Sequence, residues 1–226
     1  MRKRADYYIY GDGRQFANLN LREAFDRIRK DKGWIVDPKQ DTVSGPGSTL
    51  TQTKEIINAL PPLLDKFCIN TVLDIPCGDF NWMKEVDWQG RRYLGADILP
   101  ELISENNEKY RNGAISFSIV DLTTDTLPEA DMIFCRDCLV HFSYQDILRA
   151  LRNIKQSSSK FLMTTTFPEE KMNENIISGG WRPLNFGLAP FSFPEPLYLL
   201  NEHCTEADGL FSDKSLGLWE VRSLPI

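Results

Sequence analysis

The chain has 226 residues, 42% of them hydrophobic and 26% charged, with a formal net charge of −6. That length holds one well-buried domain with additions rather than two full ones, and the composition excludes both disorder and a membrane class. The acidic balance argues against sequence-independent binding to nucleic acid, which needs a basic surface to displace counterions.

Met1-Arg2-Lys3-Arg4 is basic, but Ala5-Asp6-Tyr7-Tyr8 does not continue as the apolar core of a signal peptide, so a cytoplasmic location is expected. From Asn18 to Lys30, apolar residues at Leu21, Ala24, Phe25 and Ile28 mark one face of a helix. Its cluster of Arg22, Arg27, Arg29, Lys30 and Lys32 reads as a solvated face. Gly33 to Pro38 and Gly45 to Ser48 punctuate a flexible passage, and residues 1–48 are expected to form an N-terminal helical extension and lid. Ser48 or Thr49 then caps a helix running through Thr53, Ile56, Ile57, Leu60 and Leu64.

The stretch Thr71 to Lys84, TVLDIPCGDFNWMK, reads as strand, tight turn and helix start. Its first five residues are short, apolar and β-branched, as in a strand buried in a parallel sheet. A helix begun at Asn81-Trp82-Met83-Lys84 would turn its free N–H groups toward an anion held at the turn, and Gly78, without a Cβ, lets backbone approach a ligand. A second strand, Arg92 to Ala96, ends in Asp97, about twenty residues on, the spacing at which an acid grips ribose hydroxyls. Ile115 to Val120 ends in Asp121, and Asp131 to Cys135 ends in Arg136-Asp137. Polar groups thus recur at the carboxyl ends of successive strands, where open α/β sheets place ligands.

Leu102 to Tyr110 is a polar helix, Asp146 to Ile154 an amphipathic one, and Lys160 to Thr166 a fifth strand. Leu199 to His203 and Gly217 to Val221 are expected as the sixth and seventh. Between strands five and six, an insert at about 168–197 carries Gly179 to Phe186 and Ala189 to Pro196, rich in Pro and aromatics. Such a loop can cap a substrate or form a second small core, and the two roles are compatible. The five cysteines are an odd number without a paired framework and fit a reduced compartment. Cys135 and Cys138 have the C-x-x-C spacing, but no second such pair exists and the pair ends a strand, so buried thiols are expected there and no metal.

From about Thr49 onward the chain resembles the class I S-adenosylmethionine-dependent methyltransferases, on LDIPCGDFNW, YLGADI, VDL and CRDCLVHF. The GPGSTLTQT segment upstream and the WRPLNF and FSFP segments downstream are most similar to bacterial stand-alone members of unassigned substrate. The family's first motif carries three alternating glycines. Here Pro76 and Phe80 take the outer positions and only Gly78 remains, which disfavours a dehydrogenase, whose pyrophosphate needs that close approach. The resemblance implies an α/β, Rossmann-like, doubly wound seven-stranded sheet, mostly parallel with one antiparallel strand and helices on both faces, over residues 49–226. It implies S-adenosyl-L-methionine as donor and S-adenosyl-L-homocysteine as product. It places the methionine portion at Asp74, Pro76, Cys77, Gly78 and Asp79, the ribose at Asp97 and Ile98, and the adenine at Asp121 and Leu122, with Arg136 nearby; Gly45 to Thr53 either folds over the donor as a lid, with Gln52 and Thr53 supplying hydrogen bonds, or is only a capped helix start.

The fourth strand's end faces the transferred methyl in this family. His141 is the candidate base there, since an unperturbed imidazole titrates near neutrality. Asp137 competes as base or as orienting group, while His203 reads as structural. Trp181, Arg182, Asn185 and Lys214 are candidate acceptor anchors. The leading expectation is methylation of a small polar acceptor, an oxygen of a sugar or nucleotide-linked sugar, with neither nucleic acid nor membrane as partner. The alternative is an inactive module that keeps the fold and activates a partner.

Overall fold

The computed structural model describes residues 11–226, so the basic start at Met1–Arg4 and the Ala5–Tyr8 run lie outside the described residues. Seven strands form one sheet: β1 (Thr71–Asp74), β2 (Arg92–Asp97), β3 (Ile115–Ile119), β4 (Met132–Cys135), β5 (Phe161–Thr166), β6 (Tyr198–Asn201) and β7 (Ser215–Glu220). Their order is β3-β2-β1-β4-β5-β7-β6. All pairs are parallel except those of β7, which runs against both β5 and β6. The chain therefore reverses its direction of winding between β1 and β4, a switch point that opens a crevice beyond their carboxyl ends.

The four longer helices are α1 (Leu21–Lys30), α2 (Leu50–Lys66), α3 (Pro100–Tyr110) and α4 (Tyr144–Gln156). Helix α1 starts at a full capping box, with Asn20 and Glu23 bonding each other's backbone, and buries Ala24, Phe25 and Ile28. Thr49 caps α2 and Ser143 caps α4. One face of the sheet packs on α1 and α4 through Leu73, Ile133 and Leu162; the other packs on α2 through Val72, Met132 and Met163. The N-terminal extension thus joins the main core. Among the described residues no helix is long and apolar enough to cross a membrane.

Two expectations need correction. The helix expected from Asn81 does not form. Phe80 takes a left-handed φ of 57°, and only a 3-10 turn, Met83–Glu85, follows. Phe80, Trp82, Met83 and Trp88 instead bury themselves in the layer of α2, so apolar burial overrides the local helical preference and removes the expected anion-facing N-terminus. Second, β6 ends at Asn201, and His203, at φ 52°, is exposed outside any strand. The insert divides: Phe186, Phe191 and Phe193 pack beneath Trp219, whereas Trp181 packs in a separate cluster with Phe167 and Phe211.

Candidate active site

A cavity of about 150 Å³ lies beyond the carboxyl ends of β1, β2 and β4. One water takes about 10–15 Å³ on this measure, so there is room for a ligand equivalent to roughly ten or more waters, the size class of an adenosine derivative. Its first wall is the turn after β1. Gly78 sits at φ 55°, and a Cβ there would come within 2.4 Å of Ser44 Oγ. What approaches this glycine is therefore the protein's own segment ahead of α2. Asp79 holds that segment down: its carboxylate accepts from Thr42 Oγ1 at 2.8 Å, Val43 N at 2.8 Å and Ser44 Oγ at 3.0 Å, and its own N–H donates to Ser44 Oγ at 3.0 Å. Val43 to Ser48 thereby lines one side of the cavity.

Asp74, Asp97 and Asp121 line the same cavity, together with Pro76, Cys77, Gly78, Asp79, Ile98 and Leu122. Asp97 Oδ2 accepts from Gly78 N at 3.2 Å and Oδ1 from Leu99 N at 3.0 Å, which fixes the carboxylate while leaving a further lone pair on each oxygen. Burial pushes Asp97 up to about 6, against the pull of those backbone donors. Asp121 Oδ1 is partly engaged by Thr123, from N at 2.8 Å and Oγ1 at 2.6 Å. Asp74 is 3% exposed, and Tyr93 donates its hydroxyl to Oδ2 at 2.5 Å. Burial raises Asp74 to about 8, so in the free protein it keeps its proton at neutral pH. Because the folded value exceeds the unfolded one, Asp74's contribution to stability is full below about pH 4 and is lost as pH rises through about 8. Asp74→Asn, which keeps an acceptor for Tyr93 but cannot ionise, is expected to flatten this decline by on the order of a few kcal/mol. Denaturant titrations at pH 4, 6 and 8 check it; parallel slopes for the two proteins would mean that Asp74 does not hold the proton.

At the other end of the cavity lies a buried ion network. Arg136 donates to Glu202 through Nε at 3.2 Å and Nη2 at 2.7 Å, and Nη2 also reaches Gly47 O at 2.8 Å. Lys214 Nζ is 2.6 Å from Asp137 Oδ2 and 3.5 Å from Glu202 Oε2. Burial works to raise Asp137, but Arg136 and Lys214 prevail and hold it well below the usual carboxylate range. A carboxylate so stabilised as an anion is a poor proton acceptor, so Asp137 is corrected from candidate base to a member of this network.

His141 lines the cavity and shares a hydrogen bond through Nδ1 with Gly180 O at 2.8 Å. A carbonyl can only accept, so Nδ1 carries the proton and Nε2 the lone pair. Burial lowers the ring to about 4, with Arg182 and Lys214 adding to the effect, so the imidazole is neutral at physiological pH. The rings of Phe25 and Trp34 meet it edge-on at 6.4 and 6.1 Å.

Several expected residues fall elsewhere. Gln52 and Thr53 are absent from the cavity lining: Gln52 pairs with Thr205 at 2.7 Å, and the Thr53 hydroxyl returns to Thr49 O at 2.9 Å within α2. Asn185 ties the insert together through Pro168 O and Glu170 O, each at 3.0 Å. Arg182 is buried and bonds only backbone carbonyls, so neither residue is an acceptor anchor. Trp181 and Lys214 do line the cavity. Cys135 and Cys138 are buried free thiols, and no group of three or more His, Cys, Asp or Glu among the described residues could hold a metal.

Sequence reasoning missed Phe25, Arg29, Trp34, Ser44, Phe167, Glu206 and Phe211, all of which line the cavity. Arg29 had read as part of a solvated face, yet it bonds Glu105 of α3 at 2.9 Å and reaches the cavity. The Gly-Pro-Gly punctuation at 45–47 was the available signal for the segment beside α2; nothing local marked Glu206 or Phe211.

A family model described as a methyltransferase domain matches residues 72–159. No curated protein matches the chain. Among solved structures, an S-adenosylmethionine-dependent methyltransferase from Clostridium acetobutylicum ATCC 824 is 13% identical, with 51% of this chain and 52% of that one covered, at a TM-score of 0.44. PigF with SAH is 14% identical, covering 87% of this chain and 62% of that one at 0.56. The methyltransferase domain of bacterial CtHen1-CN is 11% identical, covering 75% and 99% at 0.51. The last two share this fold. The chain spans about half the length of the clostridial protein and under two thirds of PigF.

Proposed function

We propose that the chain, whose residues 72–159 match a methyltransferase-domain model and whose fold is shared by PigF and the CtHen1-CN domain, is a class I S-adenosylmethionine-dependent methyltransferase that moves the methyl group of S-adenosyl-L-methionine to a hydroxyl of a small polar acceptor, a sugar or a nucleotide-linked sugar. The observation that carries this reading is one cavity with Asp97 at one end and, at the other, a neutral His141 whose Nε2 has no hydrogen bond from the described residues.

The residues fit the donor. Asp97 keeps a lone pair on each oxygen for two ribose hydroxyls, Asp121 retains acceptor capacity for an amine hydrogen, and Leu99, Leu102, Val120 and Leu122 offer apolar faces to a base. When bound, S-adenosylmethionine supplies an electrophilic methyl carbon, whose bond to sulfur breaks as the acceptor oxygen bonds to it. His141 Nε2 takes the acceptor's proton, while Gly180 O stabilises the imidazolium that forms. Trp34, Trp181, Phe167 and Phe211 close this end against water.

Charge narrows the acceptor. Every cation lining the cavity is already held by carboxylates: Arg136 by Glu202 and Asp137, Lys214 by the same two, and Arg29 by Glu105. Glu206 adds a further carboxylate to the lining. This favours a cationic donor and an uncharged, hydroxyl-bearing acceptor, and the phosphates of a nucleotide-linked sugar would stay outside. The five thiols, all free, suit a cytoplasmic setting.

Calorimetry with S-adenosylmethionine and with NAD, followed by transfer of isotope-labelled methyl to a panel of sugars, nucleotide sugars and phenols, tests the proposal. Binding of NAD in preference to S-adenosylmethionine would overturn it; labelling of phenols alone would remove the sugar reading. Affinity for the donor is also expected to fall as pH drops through about 6, because protonating Asp97 removes an acceptor for ribose. A Kd that stays flat from pH 7.5 to 5 would contradict that role.

A further inference from the structure

Arg182 is 2% exposed and does not line the cavity. Burying a guanidinium is costly unless its donors are met. Here they are met by carbonyls: Nε by Glu174 O at 3.1 Å, Nη1 by Leu139 O at 2.9 Å and Val140 O at 2.7 Å, and Nη2 by Phe142 O at 2.6 Å. Three of these carbonyls flank His141, in the 3-10 turn Leu139–His141 and the residue after it. The insert grips the same turn through its backbone, from Arg182 N to Val140 O at 3.1 Å and from Gly179 N to His141 O at 2.9 Å. The run Gly179 to Arg182 therefore holds the turn on both sides of His141 and supplies the carbonyl, Gly180 O, that selects the ring's tautomer.

We propose that Arg182 is a positioning residue for methyl transfer: its planar fork locks the carbonyls around His141 so that the imidazole stays against Gly180 O, with its proton on Nδ1 and its lone pair on Nε2. The proposal rests on the reading of His141 as base. A fork of fixed donors suits this task, whereas a lysine ammonium keeps the charge but cannot address three divergent carbonyls at once. The charged groups acting on the ring are Asp137, Arg182 and Lys214, with the aromatic edges of Phe25 and Trp34 packed against it.

The test is nitrogen NMR of the full chain labelled at histidine. Only two histidines exist, and His141→Gln assigns the signals. The native ring should remain neutral and protonated at Nδ1 from pH 8 to 5. In Arg182→Lys and Arg182→Gln, both checked for a native melting transition, the ring should become a mixture of tautomers. Its titration should move up by about one unit or more in Arg182→Gln, where the repelling charge is gone. The kcat should fall at least tenfold, with the donor Kd within twofold of native. A lysine variant that melts earlier but keeps both the Nδ1 tautomer and kcat would overturn the proposal, leaving Arg182 as a purely structural group. If Arg182→Gln fails to fold, the lysine variant alone decides. If His141→Gln retains full turnover while the Arg182 variants still change the ring, the base reading fails and the hold of Arg182 on the ring stands.

Discussion

Asp97→Ala is expected to raise the Kd for S-adenosylmethionine at least a hundredfold. The Asp97 carboxylate is held by Gly78 N and Leu99 N, which leaves a lone pair on each oxygen for the two ribose hydroxyls of the proposed donor. Hydrogen bonds to a charged group contribute about 1.5–3 kcal/mol each, so losing two costs roughly 3 kcal/mol or more, which is above a hundredfold in affinity. Alanine also leaves the N–H groups of Gly78 and Leu99 without their partner, which loosens the turn carrying the first wall of the cavity. Asp97→Asn separates the two effects: it keeps an acceptor for one N–H, removes the charge, and should fall between native and alanine. Calorimetry on all three proteins at pH 7.5 reads this out, and a native-like Kd for the alanine variant would show that the donor is held elsewhere.

His141→Gln carries the second large effect, on turnover rather than binding. The imidazole is neutral at working pH and its Nε2 is free to accept a proton, whereas a glutamine amide is no base at all. General base catalysis contributes typically about 10²–10⁴-fold, so kcat should drop by that order while the donor Kd stays within about twofold. Because the ring is lowered to about 4, the native protein should keep its kcat down to about pH 5 and lose it only below that, as the proposed base becomes protonated. Single-turnover transfer to an acceptor accepted by the native protein, measured from pH 4.5 to 8, separates this loss from the donor-binding loss near pH 6. Unchanged kcat in the glutamine variant would remove His141 from the chemistry.

Legibility in the sequence followed the range of the interactions. The strand ends Asp74, Asp97 and Asp121 were readable because each closes a short apolar run, and a parallel sheet brings such ends to one edge whatever else the chain does. The cap Thr49, one of the two residues expected to start α2, was equally local. The helix expected from Asn81 failed because its neighbours Phe80, Trp82 and Met83 gain more by burial against α2 than the connection between β1 and β2 gains by coiling. Gln52 and Thr53 lie outside the cavity for another reason: position in a resembling motif says nothing about which way a side chain turns, and Gln52 turns to Thr205 from the far end of the chain while the Thr53 hydroxyl turns back to Thr49 O.

By itself the sequence determined the α/β alternation, the parallel core strands and the row of acids at their ends, because hydrophobic period and turn chemistry act over a few residues. Only the tertiary structure decided what those acids and cations do. Asp137 meets Lys214 across 77 positions and Arg136 meets Glu202 across 66, while Arg182 reaches back to the turn around His141. Whether a carboxylate is a base or half of an ion pair depends on burial and on which charges stand beside it, and both are settled by contacts that no local pattern encodes.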